Sequence, residues 1–233
     1  MAGARQYPAR WEADVVLRDG APVHVRPIRP DDAPRIDALH RRLSAQTVYF
    51  RFFSPLSTLP PKMLERFVNV DYHDRMALVA LLGDEVVAVA RYDRLERPGG
   101  EGDDAEVAFL VDDAHQGRGL GTLLLEHLAV VAREEGIARF VADTLPENTR
   151  MLRVFREAGF GDERRFSDGV VRVVFSITPT EASLAATEER DRHAVARSVH
   201  RLLHPRSVAV VGANRRRGTV GRLLLDRLLR SEF

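Results

Sequence analysis

The period of the apolar positions changes several times along the chain, and these changes predict an alternation of strands and helices. Two short apolar runs, Val15 to Leu17 and Val23 to Ile28, flank Asp19-Gly20 and predict a β-hairpin. The spacing then becomes helical, with Asp31 or Asp32 as the first N-cap. Three helices are predicted here, over residues 31–43, 44–53 and 61–68.

The middle of the chain returns to a strand pattern and then alternates. Met76 to Leu82 and Val86 to Tyr92 predict a second hairpin, and the Pro, Gly and acidic residues of 97–104 predict a loop. The apolar run Glu106 to Val111 predicts a further strand. The remaining elements predicted here are a helix ending at Gly136, a strand over residues 138–145, a helix from Asn148 to Gly159, and a hairpin over residues 166–177.

The C-terminal part differs in composition. Residues 178–200 are charged and alanine-rich, which favours a linker helix. The buried-strand run Ser207 to Ala213, the basic turn Asn214 to Gly218 and the helical run Val220 to Leu229 match the first unit of a doubly wound nucleotide-binding fold. The predicted organisation is an N-terminal tail over 1–14, a main domain over 15–178, a linker over 179–203, and the start of a Rossmann-like domain over 204–233.

Composition limits the classes of function. The chain has 35 basic and 34 acidic residues, a balance that gives no support for nucleic-acid binding. Cysteine is absent, which removes disulfides and thiolate metal sites. No apolar run approaches the roughly 20 residues needed to span a bilayer. We therefore expect a cytoplasmic protein that uses neither a membrane nor a metal.

The segment Gln116-Gly117-Arg118-Gly119-Leu120-Gly121 carries the first candidate chemistry. It lies between a predicted strand and a strongly predicted helix. Glycines let main-chain N–H groups approach an anion closely, and a helix N-terminus adds partial positive charge. The pattern predicts a pyrophosphate site. The alternative is an ordinary glycine-rich turn between a strand and a helix.

With its surroundings, this segment resembles the acyl-CoA-binding signature of the GNAT superfamily of N-acetyltransferases. Gln116, Gly119 and Gly121 match the family pattern, and the order of elements over residues 15–177 is also similar. The resemblance implies an α/β (α+β) GNAT fold, in which a mixed, twisted sheet carries helices on both faces. It implies acetyl-CoA as the donor substrate, bound between two parallel strands.

A narrower resemblance links the chain to the bacterial protein lysine acetyltransferases called Pat. It rests on four segments: Arg26 to Asp32, Tyr49 to Leu56, Val70 to Ala80, and Ala105 to Gly121. Pat proteins are often fused to an NDP-forming acyl-CoA synthetase-like region, and Leu202 to Gly221 resembles the opening of its CoA-binding subdomain. The resemblance implies a protein lysine as acceptor, with an acyl-CoA synthetase as one candidate, and a chain that is a piece of a longer protein.

Glu106 is the candidate general base. A lysine ammonium, with a pKa of about 10.4, must lose a proton before its nitrogen can attack a thioester. Glu106 lies in an otherwise apolar strand, just before the glycine loop. The resemblance assigns the base of the Pat enzymes to this position. The alternative is a strand-end glutamate that faces solvent.

The resemblance also implies the residues that hold the donor. In the family, main-chain N–H groups of the signature strand meet the thioester, which corresponds to Phe109, Leu110 and Val111. Asn148 matches an asparagine that contacts the cofactor arm, although it is an equally good helix N-cap. The full set of expected cofactor-binding residues is Phe109, Leu110, Val111, Gln116, Gly117, Arg118, Gly119, Leu120, Gly121, Thr122, Asn148 and Phe155.

Phe155 departs from the family pattern. Many GNAT enzymes have a tyrosine here that protonates the leaving thiolate, so this chain lacks that acid. Either the thiolate leaves unassisted or another group serves. Two other functions stay open: acetylation of a small-molecule amine, and a non-catalytic acyl-CoA sensor. The polar cluster of residues 71–74 is either an acceptor-lysine site or a solvated loop.

Overall fold

The computed structural model describes residues 6–97, 100–159, 162–167, 169–204, 211–212 and 218–230. The chain divides into two units, Met1–Ser198 and Val199–Phe233. All described strands belong to the first unit. They are β1 (Ala13–Val16), β2 (Pro22–Pro27), β3 (Arg75–Leu82), β4 (Glu85–Arg97), β5 (Gly100–Val111), β6 (Arg139–Thr144), β7 (Asp162–Ser167) and β8 (Val170–Ser176).

The helices follow the predicted order. The described helices are α1 (Ala33–Arg42), α2 (Ala45–Phe52), α3 (Pro61–Val68), α4 (Leu120–Glu134), α5 (Thr149–Glu157), α6 (Glu181–Leu203) and, in the second unit, α7 (Val220–Arg230). Within the described residues, none of these helices combines the length and the apolarity that crossing a membrane requires.

The strands form one eight-stranded mixed sheet in the order β1-β2-β3-β4-β5-β6-β8-β7. Neighbouring strands are antiparallel except β5 and β6, which are parallel. This parallel pairing joins Asp104, Ala105 and Glu106 to Arg139, Phe140 and Val141. Both strands then continue along their other neighbours, so a gap opens between them after Glu106. The mixed sheet confirms the expected fold class.

Helices cover both faces of the sheet, and the side chains of β5 identify which helices lie on which face. Ala108 and Leu110 line a cavity together with residues of α1, α2 and α3. Phe109, which points the opposite way in a strand, packs against Phe155 of α5 with ring centroids 6.2 Å apart. Since both faces are covered, the central strand β3 is buried almost throughout and reads as a continuous apolar run.

Two sequence predictions for the first unit were wrong in extent. Residues 97–104 were predicted as a loop, but Arg97 pairs with Gly100 and Glu96 with Glu101, which lengthens β4 and β5 into one long hairpin. Cross-strand hydrogen bonds outweigh the low strand propensity of these acidic and glycine residues. Part of the expected N-terminal tail is also packed: the Tyr7 ring meets the edge of Tyr72, with centroids 5.9 Å apart.

Helix α6 packs along the first unit through a series of polar contacts. Arg190 forms an ion pair with Glu126 of α4 and donates a 2.7 Å hydrogen bond to the carbonyl of Glu157. Two glycines let the helix backbone come close, since a Cβ at Gly159 or Gly20 would lie 2.9 Å from the backbone of Ser183 or Ser198. The first twenty residues of the expected linker, 179–198, therefore belong to this unit.

The second unit is described through α7, which agrees with the predicted helix over residues 220–229. The predicted strand Ser207 to Ala213 and the basic turn Asn214 to Gly218 lie almost wholly outside the described residues. The Rossmann-like start of this unit therefore stays a prediction.

Candidate active site

The glycine loop connects β5 to α4 and has the backbone that its glycines predict. Gly117 and Gly119 have φ of +76° and +90°, in the left-handed region that only glycine adopts without strain. Gly119 is the N-cap residue of α4. A Cβ at Gly121, in the first helical turn, would lie 3.2 Å from the side chain of Val154. Gly119 and Gly121 therefore have separate reasons to be glycine: backbone conformation and close packing on α5.

The start of α4 supplies donors for an anion. The first N–H groups of a helix have no acceptor within the helix, and the aligned peptide dipoles add positive charge there. Leu120 and Thr122 point inward, with 1% and 2% of their surface exposed. Their main-chain N–H groups are thus the part of these residues that an anion can reach. This geometry suits the predicted pyrophosphate site.

Arg118 is fixed in place by the β1–β2 turn. Its Nε donates a 2.7 Å hydrogen bond to Asp19, and a second nitrogen lies 2.8 Å from Nδ1 of His115. The N–H of Arg18 donates to the carbonyl of Arg118 at 3.2 Å. The loop is therefore supported from a turn about 100 residues earlier in the chain, a contact that no local sequence signal shows.

The side-chain amide of Gln116 links three elements, β5, α2 and α5, through hydrogen bonds. Its amide nitrogen donates to the carbonyl of Val111 at 3.1 Å and to the Thr47 hydroxyl of α2 at 3.3 Å. Its amide oxygen accepts a hydrogen bond from Arg150 of α5. The side chain expected to belong to the cofactor site therefore holds the end of β5 to its surroundings.

Two aspartates complete this support, and sequence reasoning missed both. Asp112 accepts a 2.8 Å hydrogen bond from Nε of Arg42 at the end of α1. Asp113 accepts hydrogen bonds from the N–H and hydroxyl of Ser44 at 2.7 and 3.0 Å, and from the Thr47 hydroxyl at 2.7 Å. Burial alone would raise the pKa of Asp113, but these hydrogen bonds outweigh it and hold that pKa below its usual value.

The gap between β5 and β6 is where the predicted thioester residues lie. Phe109, Leu110 and Val111 pair with β4 along one edge of β5, while their other edge faces the gap. Across the gap, the hydroxyl of Thr144 is buried at the end of β6, and no residue that the structure describes forms a hydrogen bond with it. A buried hydroxyl without a partner is unusual. Thr144 is thus a further candidate contact for a ligand in this gap.

Asn148 and Phe155 have clear structural roles. The side-chain oxygen of Asn148 accepts a 3.1 Å hydrogen bond from the N–H of Met151, which confirms the predicted N-cap. Phe155 is 1% exposed and lies between Phe109 and Phe175, with its centroid 5.3 Å from that of Phe175. Its position under β5 makes it part of the core beneath the gap.

Glu106 is exposed at the point where β5 and β6 separate. It pairs with Asp93 of β4 on one side and with Val141 of β6 on the other. Side chains alternate along a strand, so Glu106 shares its face with Ala108 and Leu110, the face covered by α1, α2 and α3. The carboxylate therefore lies on the face opposite α5, where it is exposed to solvent.

Arg51 of α2 lies close to this carboxylate. Burial and the charge of Arg91 lower the pKa of Arg51 to about 10, while the charges of Glu106 and Asp93 act in the opposite direction. Its guanidinium lies over the ring of Phe52, 5.2 Å from the centroid. Sequence reasoning missed Arg51 because residues 44–53 predicted only a helical segment that runs into an aromatic-lined loop.

The polar cluster of residues 71–74 connects β4 to the C-terminal end of α4 through hydrogen bonds. Asp71 accepts hydrogen bonds from two backbone N–H groups of its own turn, at 2.8 and 2.9 Å. Nδ1 of His73 lies 2.6 Å from a carboxylate oxygen of Glu135, and Arg94 binds Asp74 at 2.8 Å. Across the described part of the chain, no group of three His, Asp or Glu residues could hold a metal ion.

Comparison with known proteins agrees with this geometry. Residues 43–160 match the model of the acetyltransferase (GNAT) family. An acetyltransferase of Pseudomonas aeruginosa is 32% identical over 152 residues, which cover 64% of this chain and 80% of the relative. The crystal structure of the GNAT domain of Streptomyces lividans PAT is 51% identical, with a TM-score of 0.70. That match covers 73% of this chain and 99% of the other.

A third relative is longer than this chain. The acetyltransferase Pat of Mycolicibacterium smegmatis is 35% identical over 147 residues, which cover 62% of this chain. The match spans only 43% of the length of that relative.

Proposed function

Because the chain belongs to the acetyltransferase (GNAT) family, we propose that it transfers an acetyl group from acetyl-CoA to the ε-amine of a protein lysine. Membership makes it an acyltransferase. The observation that carries the finer proposal is the exposed carboxylate of Glu106 at the point where β5 and β6 separate. A base at this point reaches both an amine from the open face and a thioester in the gap.

In this proposal the donor is held by main-chain groups. The pyrophosphate of acetyl-CoA lies against the N–H groups at the start of α4, and the pantetheine arm runs through the gap after Glu106. N–H groups of Phe109 to Val111 bind the thioester carbonyl and stabilise the oxyanion as it forms. The hydrogen bonds of Gln116 and Asp112 keep this end of β5 in position.

The chemical steps follow from the two faces of β5. Glu106 takes the proton of the lysine ammonium, directly or through a water. The neutral nitrogen attacks the thioester carbon within a ternary complex. The nitrogen then loses its second proton to water as the amide bond forms and the C–S bond breaks. Phe155 offers no proton to the thiolate, whose ordinary pKa of about 8.5 lets it leave without an acid.

The acceptor is proposed from the resemblance to the Pat enzymes. The 51% identity to the GNAT domain of Streptomyces lividans PAT supports the same class of acceptor. An acyl-CoA synthetase is the first candidate, because the C-terminal residues resemble the region to which Pat proteins are fused. A lysine on the surface of the synthetase would approach from the face that carries Glu106.

The test is mass spectrometry of a purified acyl-CoA synthetase incubated with this chain and acetyl-CoA. We expect acetyl-lysine on the synthetase, and none when Glu106→Gln replaces the wild type. Lys62 is the only lysine of this chain and is exposed at the start of α3, so a Lys62→Arg variant carries no acceptor lysine of its own. Acetylation of polyamines without any acetyl-lysine would favour a small-molecule acceptor, and binding without transfer would favour a sensor.

A further inference from the structure

A small cavity lies on the face of the sheet that carries Glu106, between the strands and helices α1, α2 and α3. We call this face the acceptor side, because the proposed function brings the lysine to it. Its volume is about 30 Å³, which is room for about two groups of the size of a water molecule. Its helix side is lined by Ile36, Phe52 and Phe67, and its sheet side includes Ala108 and Leu110. These walls are apolar and suit methylene groups rather than water.

Two arginines lie at this cavity, and their surroundings differ. The guanidinium of Arg91 binds the carboxylate of Asp93 through two hydrogen bonds, at 2.9 and 3.1 Å, and so has a direct counter-ion, which it shares with Arg75. No hydrogen bond or ion pair joins Arg51 to any residue that the structure describes, although its guanidinium covers the Phe52 ring. The carboxylates of Glu106 and Asp93 act on Arg51 through their charge but do not bind it directly. A half-buried cation without a direct ion pair is costly, and a bound carboxylate would lower that cost.

The position of the cavity points to the acyl group as the source of this carboxylate. Its sheet side includes Phe109 and Leu110, the residues whose N–H groups hold the thioester in the proposed function. Atoms that extend an acyl chain beyond the carbonyl would therefore enter the cavity. We infer that Arg51 and this cavity form a subsite for an acyl group that ends in a carboxylate, such as malonyl or succinyl, carried on CoA.

This inference rests on the donor site of the proposed function and leaves its chemistry unchanged. Glu106 takes the first proton of the lysine ammonium, and the neutral nitrogen bonds to the acyl carbon. The nitrogen loses its second proton to water as the C–S bond breaks. CoA leaves as the thiolate. The distal carboxylate does not react; it binds the guanidinium fork of Arg51 and orients the chain.

The test compares binding of succinyl-CoA, malonyl-CoA and acetyl-CoA by calorimetry. In Arg51→Met, we expect affinity for succinyl-CoA and malonyl-CoA to fall about 10- to 100-fold, as for loss of a charge-assisted hydrogen bond. Affinity for acetyl-CoA should change less than about threefold, because its methyl group does not reach Arg51. Arg51→Lys should lie between, since it keeps the charge and loses the planar fork.

Arg41→Met is the matched control, because Arg41 is an exposed arginine of α1 paired with Asp37 and lies away from the cavity lining. It should leave all three affinities unchanged. Melting temperatures show that each variant is folded; should Arg51→Met fail to fold, Arg51→Lys and Arg51→Gln make the same comparison.

Three results would overturn the inference. They are equal losses for all three esters, no loss for any, or an Arg51 dependence seen only when the acceptor peptide carries an acidic residue beside its lysine. The last would move the carboxylate from the acyl group to the acceptor. A wild-type chain that bound no acetyl-CoA would instead contradict the proposed function. Normal acetyl-CoA binding without any preference set by Arg51 contradicts this inference alone.

Discussion

The two sides of β5 differ in how their polar groups are satisfied. On the donor side, the loop residues Arg118, Gln116 and Asp112 all bind partners from other elements of the domain. On the acceptor side, Glu106 is exposed, and Arg51 contacts an aromatic ring but no carboxylate among the described residues. In the proposed function, the donor site is thus held in shape before any ligand arrives, while the side proposed for the acceptor keeps charges available for its substrates.

This difference assigns separate tasks to the two sides. Main-chain donors hold a cofactor well when the loop that carries them is rigid, because no binding energy is then spent on ordering it. A proton-transfer group must instead stay reachable, and burying it in an ion pair would remove it from the reaction. Substitutions on the donor side should therefore change binding, and those on the acceptor side should change turnover or charge preference.

The largest expected effect is on Glu106. Glu106→Gln keeps the size and hydrogen-bonding capacity of the side chain but removes the base, so kcat should fall by about 10² to 10⁴-fold. The Kd for acetyl-CoA, measured by calorimetry, should stay within about twofold of wild type. Turnover at the wild-type rate would show that another group takes the proton.

The next effect tests the donor side through its glycines. Gly119→Ala places a Cβ on a residue with φ of +90°, a conformation that costs about 1–2 kcal/mol for other residues. We expect the loop to shift and the Kd for acetyl-CoA to rise roughly tenfold. Gly83→Ala is the matched control, since Gly83 also has a positive φ, +61°, but lies in the β3–β4 turn with open space around it. Gly83→Ala should lose a similar free energy of unfolding and bind acetyl-CoA as tightly as wild type. Weaker binding in both variants would contradict the role proposed for Gly119 in the acetyl-CoA site.

A smaller effect concerns the stability of the acceptor side. Arg51→Met removes a half-buried cation that has no direct ion pair with any described residue, and it leaves an apolar side chain on the Phe52 ring. We expect the free energy of unfolding to rise by about 1 kcal/mol, seen as a melting temperature about 2–4 °C higher. A lower melting temperature would mean that the Phe52 contact outweighs the cost of burying the charge.

The smallest expected effect is on the pH dependence of stability and comes from a residue outside the site. Burial lowers the pKa of His127 of α4, and the charge of Asp191 on α6 opposes this only in part. The unfolded chain then binds the proton more readily, so stability is full above the usual histidine pKa of about 6.5 and falls as pH drops below it. Melting temperatures measured between pH 5 and 8 should fall towards the acid end. In His127→Gln, the free energy of unfolding lost over this range should be smaller by about 1 kcal/mol or less.

The sequence predicted the features that depend on neighbouring residues. The glycine loop, the N-cap at Asn148 and the strand of Glu106 are local patterns, and the structure has the loop, cap and strand at those positions. The support of the loop could not be predicted, because Arg42 and Asp112 are 70 residues apart and meet only when α1 packs on β4, the neighbour of β5. The long β4–β5 hairpin was missed for a similar reason: its strand character comes from the partner strand and not from its acidic and glycine residues.

The close packing of α6 on Gly20 and Gly159 also determines where the acetyltransferase unit can be truncated without losing its structure. The last strand ends at Ser176, but Ser183 and Ala194 of α6 are buried. Arg190 binds the carbonyl of Glu157, the last residue of α5. A fragment that stops after residue 178 would leave Gly20, Gly159 and the Glu126 carboxylate uncovered. We expect proteases to spare the chain up to about Ser198, so that a fragment covering residues 6–198 survives digestion as one stable piece.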